Sequence, residues 1–314
     1  MKLTNISNFK LGHSIKGFYL CREKHILYTR NDDPYLDLVL TDASGSIAGK
    51  MWEMVNEFDN RFENGDPVAV KGKVSEFNKK LQIIITNINR ASSSQYGKYG
   101  FSPEKLVPHV NESVTDLWKQ LIKTSKSIKS PLKDLVINIL NEHKSKILIM
   151  PYSINHHHPL SGSFLKHLVT TTEIVKNILP HYYNLNRDLT LAGIILYDIG
   201  KVKGINDDLL PKQTDEGKLL GNMVLGRDII IDAAQSIKNF PSDILAKLEH
   251  IILSHHGESG NNVVTIPKFP EALCINCIGN LDGRLNVMLD IIKDDPNQDW
   301  TSFQSKYNTE FLKK

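Results

Sequence analysis

At 314 residues, 40% of them hydrophobic and 23% charged, with a net charge of +3, the chain has ordinary globular composition and length enough for two cores, which excludes a disordered or fibrous protein. No apolar run approaches the roughly 18–20 residues of a membrane helix and no basic start leads into an apolar segment, so a cytoplasmic location without a membrane partner is expected. Three cysteines, Cys21, Cys274 and Cys277, are an odd number that argues against a disulfide framework. The CxxC spacing of the last two has no second pair to complete a zinc site, so it reads as two small buried residues on one helix face.

The charge is unevenly distributed. Residues 1–150 carry 22 Lys and Arg against 16 Asp and Glu, whereas residues 151–314 carry 16 against 19. Phosphates are therefore to be sought on the first half. Strand signals fall there at residues 18–20, 26–29, 35–40, 47–52, 68–74 and 81–85, separated by Asn31-Asp32-Asp33-Pro34, Asp42-Ala43-Ser44-Gly45, Asn64-Gly65-Asp66-Pro67 and Asn78-Lys79-Lys80. These are the Gly/Pro/Asn/Asp clusters that end strands. With a helix-like fragment at 53–62, the pattern predicts a small barrel of about five strands, and it resembles the OB-fold nucleic-acid-binding domain. Such barrels bind single strands through a basic groove and aromatic platforms; Lys50, Trp52, Lys71, Lys73, Phe77, Lys79 and Lys80 are the candidates for both. The alternative places Trp52 and Phe77 in the core and the lysines on a solvated face.

Residues 91–100 have linker composition, which sets expected boundaries of 1–92 for the barrel, 93–130 for a linker and connecting helix, and 131–314 for a helical domain. Apolar steps of three and four at 114–124 and 131–141 predict amphipathic helices, and the remainder reads as helical to the end. Histidines then come in groups: His156-His157-His158, His167 within an apolar helix, and His255-His256 at another helix end. The apolar run Leu191, Ala192, Ile194, Ile195, Leu196 delivers Asp198, a carboxylate that needs a metal, a base or hydrogen bonds if buried. A bland reading has Asp198 capping the turn where Gly200 ends its helix. A bundle would bring His167, Asp198, His255 and His256 together as a nitrogen-and-carboxylate set suited to divalent first-row metals.

These stretches carry a resemblance. Pro34-Tyr35-Leu36 with Lys50-Met51-Trp52, His157-His158 ahead of His167, Tyr197-Asp198-Ile199-Gly200-Lys201, Leu220-Gly221-Asn222, Ser254-His255-His256-Gly257 and the segment from Asn280 to Asn286 together resemble the YhaM-type 3′-5′ exoribonucleases. The resemblance implies an α+β multidomain chain, an OB-like barrel followed by an all-α HD-like bundle. It also implies single-stranded RNA or DNA as partner, an expected Mn²⁺ cofactor, His167, Asp198, His255 and His256 as ligands, and Lys201 beside a phosphate. Homo-oligomers are compatible with it. Departures are specific: Tyr197 stands for the histidine of the His-Asp pair, Asn222 for a later histidine, and Asn276 and Gly279 for a His-x-x-Asp pair, with Asp282 retained three residues on. Tyrosine, asparagine and glycine are poor divalent-metal ligands, so weakened or lost phosphodiester hydrolysis is expected. An active exoribonuclease with an altered metal shell is the alternative. A small-nucleotide phosphohydrolase suits the second half but leaves the barrel without a role.

Overall fold

The computed structural model describes residues 4–154, 160–257 and 264–314; His156, His157 and His158 lie outside them. The chain divides into two compact units, one of residues 1–111, 149–164 and 206–213, the other of residues 112–148, 165–205 and 214–314.

The first unit is built on a closed barrel in the order β1-β2-β3-β5-β4. Its strands are β1 (Ser14–Tyr28), β2 (Pro34–Asp42), β3 (Gly45–Met51), β4 (Pro67–Phe77) and β5 (Lys80–Arg90), with a short helix α1 (Val55–Asp59) between β3 and β4. The first two expected strands are one: β1 pairs with β4 through Leu20 and with β2 from Leu20 onward, its register shifting between Cys21 and Glu23. A long bulged strand can serve both sides of a closing sheet, which alternation read in short windows does not reveal. Alternate residues fill the interior, among them Leu36, Leu38, Leu40, Val68, Ile83 and Ile88, each fully buried. Turn chemistry acts as its composition predicts. Asp42 Oδ1 accepts the Ser44 amide at 2.7 Å and its Oδ2 accepts the Ile6 amide at 2.8 Å. Asn78 and Lys79 both take positive φ, 48° and 61°, in the two-residue β4–β5 hairpin, as type I′ geometry requires.

The segment expected as a linker is packed. It carries α2 (Ser93–Tyr96) and a 3₁₀ turn (Gly97–Tyr99), and Phe18, Ala91, Phe101 and Leu106 form a second small core under it. Serine at position 92 caps α2 by accepting the Gln95 amide, so the Ser-rich stretch that looked flexible is cap chemistry.

The second unit is helical: α3 (Val114–Lys126), α4 (Leu132–Glu142), α5 (Lys144–Ile149), α6 (Ser163–Ile178), α7 (Arg187–Leu196), α8 (Lys201–Gly204), α9 (Asp215–Gln235), α10 (Ser242–Ser254) and α11 (Pro270–Asp294), with Ile149 of α5 and Ser163 and Phe164 of α6 belonging to the first. Helix α7 is the centre. Asn186 caps it by accepting the Leu189 amide at 3.0 Å, every residue from Leu189 to Leu196 is buried, and it packs on α4, α10 and α11. A helix apolar all round has no solvent face, so whatever its end delivers is also buried. Gly200 is required by proximity rather than by turn geometry: its backbone is ordinary helical, but a Cβ there would lie 1.9 Å from the Asn222 carbonyl oxygen. Gly221, by contrast, kinks α9 at φ 76°, where only glycine is at ease. After Asp294 the chain is not helical to its end; 295–314 is irregular, with bridges Trp300–Leu312 and Gln304–Thr309. Cys274 and Cys277 share α11, but neither is buried as expected: Cys274 is half-buried and Cys277 exposed.

Candidate functional site

The end of α7 places Tyr197 and Asp198 in the interior of the helical unit, Asp198 1% exposed. Helix α6 brings in His167, the C-terminal end of α10 brings His255 and His256, and α11 lays Asn276, Gly279 and Asp282 along the same region. Sequence reasoning thus named the residues that meet here. It did not foresee how their atoms are already engaged.

His167 is held at both ring nitrogens. Its Nδ1–H donates to the Asp282 carboxylate, which Asn286 steadies with a 3.0 Å hydrogen bond from its amide. The Tyr197 hydroxyl donates to Nε2, the lone pair that a metal would use. Asp282, which retains a carboxylate near the departed position, is therefore the group that orients His167. Gly279 explains how tyrosine fits. A Cβ at Gly279 would lie 3.0–3.2 Å from three Tyr197 ring and hydroxyl atoms, so the ring takes the room that an aspartate would need. Tyr197 and Gly279 are a matched pair, one filling what the other vacates.

Asp198 has its own countercharge. Lys201 donates to Oδ2 at 2.8 Å, one turn along, while His167 Nε2 is 4.0 Å from the same oxygen. Burial by itself would raise the carboxyl's pKa, but the Lys201 ammonium, the strongest opposing influence, holds it well below the usual range. The other oxygen is differently placed. Asp198 Oδ1 faces His255 Nε2 at 3.6 Å, and neither atom has a hydrogen-bond partner among the described residues. The His255 Nδ1–H donates to the Ile252 carbonyl at 2.6 Å, which turns Nε2 toward the carboxylate. A ring nitrogen and a carboxylate oxygen so placed are joined either by a proton on the ring or by a cation between them. His256, exposed to solvent, completes a set in which Asp198, His255 and His256 offer ligand atoms all within 4.8 Å of one another, and partial desolvation beside His255 lowers its pKa.

The two asparagines have other work. Asn276 donates to the His255 carbonyl at 2.8 Å and to that of Gly257 at 3.3 Å, satisfying carbonyls at the end of α10. Asn222 lays its carboxamide on Gly204, where a Cβ would come within 2.1 Å of its Oδ1.

On the barrel, Trp52 is 48% exposed and stacks on Tyr35 at 4.6 Å and 27°, a platform rather than core. Lys50 lies 5.2 Å over the same tyrosine but is ion-paired to Asp37 at 2.7 Å, so its charge is partly neutralised. Lys50, Ile84 and Lys73 form one row across β3, β5 and β4. Phe77, Lys79 and Lys80 are exposed at the β4–β5 hairpin, and Lys71 belongs to a separate group on β1 and β4. Tyr35 was missed, although its place opposite Trp52 follows once Leu36 pairs with Met51.

Residues 19–91 match the OB-fold nucleic acid binding domain family (tRNA_anti-codon). Among curated proteins, the chain is 28% identical over 291 residues to the 3′-5′ exoribonuclease YhaM of Shouchella clausii, covering 90% of this chain and 88% of that protein. Among solved structures, the second OB-fold domain of replication protein A from Methanococcus maripaludis overlaps 29% of this chain and 96% of its own at 22% identity and a TM-score of 0.25. A replication protein A heterotrimer bound to single-stranded DNA overlaps 30% of this chain and 70% of its own at 17% identity and a TM-score of 0.23. A closed five-stranded barrel leads into a helical unit, and the similarity to the YhaM exoribonuclease runs along nine-tenths of the sequence.

Proposed function

We propose that this chain is a cytoplasmic single-stranded nucleic-acid-binding protein of the YhaM type whose second unit is an HD-like domain with weakened or lost phosphodiester hydrolysis. The observation that carries the reading is the closure of the metal position: the Tyr197 hydroxyl takes His167 Nε2, and Lys201 supplies the charge that a metal would otherwise supply to Asp198. Three donors remain where the resemblance implies a fuller shell, and three are too few to hold two ions. No helix among the described residues is long and apolar enough to cross a membrane.

A second reading has one observation in its favour. The unsatisfied Asp198 Oδ1 and His255 Nε2, with His256, suit a single divalent ion of the first-row class, Mn²⁺ among them, which would polarise a phosphoryl oxygen and lower the pKa of bound water. In that case Lys201 and Asp198 would sit beside the scissile phosphate as a working pair.

The barrel half of the reading predicts that the full chain binds an unstructured oligonucleotide with a strong salt dependence and little sequence preference. Trp52→Ala should weaken binding by about 1–3 kcal/mol, the value of one base–aromatic stack, with no loss of fold because the indole is half exposed. Fluorescence anisotropy in low and moderate salt checks this. An affinity indifferent to salt, or unchanged in Trp52→Ala, counts against the barrel as the binding unit.

A further inference from the structure

Away from the Tyr35–Trp52 platform, the outer face of β1, β4 and β5 carries two cross-strand rows, Lys16–Lys71–Asn87 and Phe18–Ala69–Asn89. Ala69 is small where its neighbours are large, and the tyrosines of the following segment, Tyr96 and Tyr99, stand beside it, so the face is hollowed into a recess of about 220 Å³. Tyr96 is fixed by edge contact with Phe18 at 5.5 Å between ring centroids, and Tyr99, 51% exposed, leans on it at 6.4 Å.

Charge and hydrogen bonding in this recess are incomplete in a directed way. Lys16 and Lys71 are direct cross-strand partners, an arrangement that is destabilising for like charges. Among the described residues neither is paired with a carboxylate within ion-pair distance. The amides are polarised toward the same space. Arg61 donates to Asn89 Oδ1 at 2.8 Å, which fixes that side chain so that its Nδ2 donates to Asn87 Oδ1 at 2.8 Å. Asn87 is thereby left with its Nδ2 as a donor for which no acceptor is present among the described residues.

Two ammoniums without a counter-anion, an amide donor held through Asn89 by an arginine, and two tyrosine rings around one recess match three features of a nucleotide: its phosphate, its base edge and its base face. We propose that this recess is a second nucleotide-binding subsite, which takes one nucleotide of a bound single strand with its phosphate on Lys16 and Lys71 and its base against Tyr96 and Tyr99. It rests on the reading of the chain as a single-strand binder and adds a position that the Trp52 face does not explain.

The test uses the full chain and a fluorescent oligouridylate of about a dozen nucleotides, with a second copy of the oligonucleotide containing 4-thiouridine for photo-crosslinking. Lys16→Glu should weaken binding about tenfold and flatten the salt dependence by roughly one or two phosphates, at about 0.7 in the log–log slope for each. Its melting temperature should hold or rise, because glutamate opposite Lys71 replaces a repulsion with a pair. Lys16→Arg should retain binding, and Lys10→Glu, the same charge change on another exposed residue of this unit, should have a much smaller effect. Crosslinks should include Tyr96 or Tyr99. If Lys16→Glu stays within twofold of the unaltered protein, or equals Lys10→Glu, or if crosslinks form only around Trp52, the subsite is wrong while the single-strand reading stands. If the unaltered chain binds no oligonucleotide, both fall.

Discussion

Lys201→Met is expected to destabilise the protein by about 3–5 kcal/mol at pH 7, the usual cost of removing one member of a buried pair. Asp198 is 1% exposed, and Lys201 is the cation nearest to it, 2.8 Å from Oδ2. Methionine keeps the length and apolar stem of the side chain and removes the charge together with the hydrogen bond to Asp198. The sign of the pH dependence follows from the depressed carboxyl. In the unaltered protein this group contributes stability that is complete above the unfolded aspartate value of about 3.9 and is lost only as pH falls through the lower folded value. In Lys201→Met burial is less opposed and the folded carboxyl rises, so the variant binds a proton on folding and loses stability as pH climbs. The gap between the two proteins should therefore be widest near neutrality and narrow toward pH 4. Urea unfolding at both pH values measures it. A variant as stable as its parent at pH 7 would mean that something other than Lys201 neutralises Asp198.

The second large effect is a coupling between Tyr197 and Gly279. Gly279→Asp alone should destabilise by several kcal/mol, since its Cβ would press on the Tyr197 ring at 3.0–3.2 Å and its carboxylate would enter the interior without a cation. Replacing glycine inside α11 regains at most about 1 kcal/mol of helix propensity, which is smaller than either cost. Tyr197→His alone should also destabilise, by opening space over Gly279 and removing the hydroxyl from His167 Nε2. Together the two changes should cost less than their sum, by about 1–3 kcal/mol, because each relieves the other. The double variant should further gain melting temperature from Mn²⁺ or Zn²⁺, as an imidazole and a carboxylate rejoin His167 and Asp198. Additive costs with no response to metal would show that the pair is not a filled ligand position. Asn276 and Asn222 are best left alone in this test, given their hydrogen bonds to the end of α10 and their packing on Gly204.

The barrel was legible because alternation and turn chemistry are local. Leu36, Leu38 and Leu40 announce one buried face, and Asn78-Lys79 announces a hairpin, before any long-range pairing is known. The union of two expected strands into β1 was not legible, since it depends on which strand pairs with each half. The same holds for residues 91–100. Their polar, Gly-containing composition is that of a linker, yet Tyr96, and Phe101 just after them, reach back to Phe18, a contact with no periodic trace in the sequence. In the helical unit, the burial of Asp198 could be read from the apolar run ahead of it. That Tyr197 fills the space over Gly279 could not, because the two positions are 82 residues apart in sequence and their complementarity exists only when α7 packs on α11.

The most direct measurement of the central claim is elemental analysis of protein purified without chelator, paired with incubation of a 5′-labelled single-stranded RNA in Mn²⁺. Closure of His167 by Tyr197 and neutralisation of Asp198 by Lys201 predict well under one tightly bound divalent ion per chain and an RNA that keeps its 3′ end. A stoichiometric ion, together with Mn²⁺-dependent shortening of the RNA that Asp198→Ala abolishes, would contradict the account and establish the single-metal enzyme in its place.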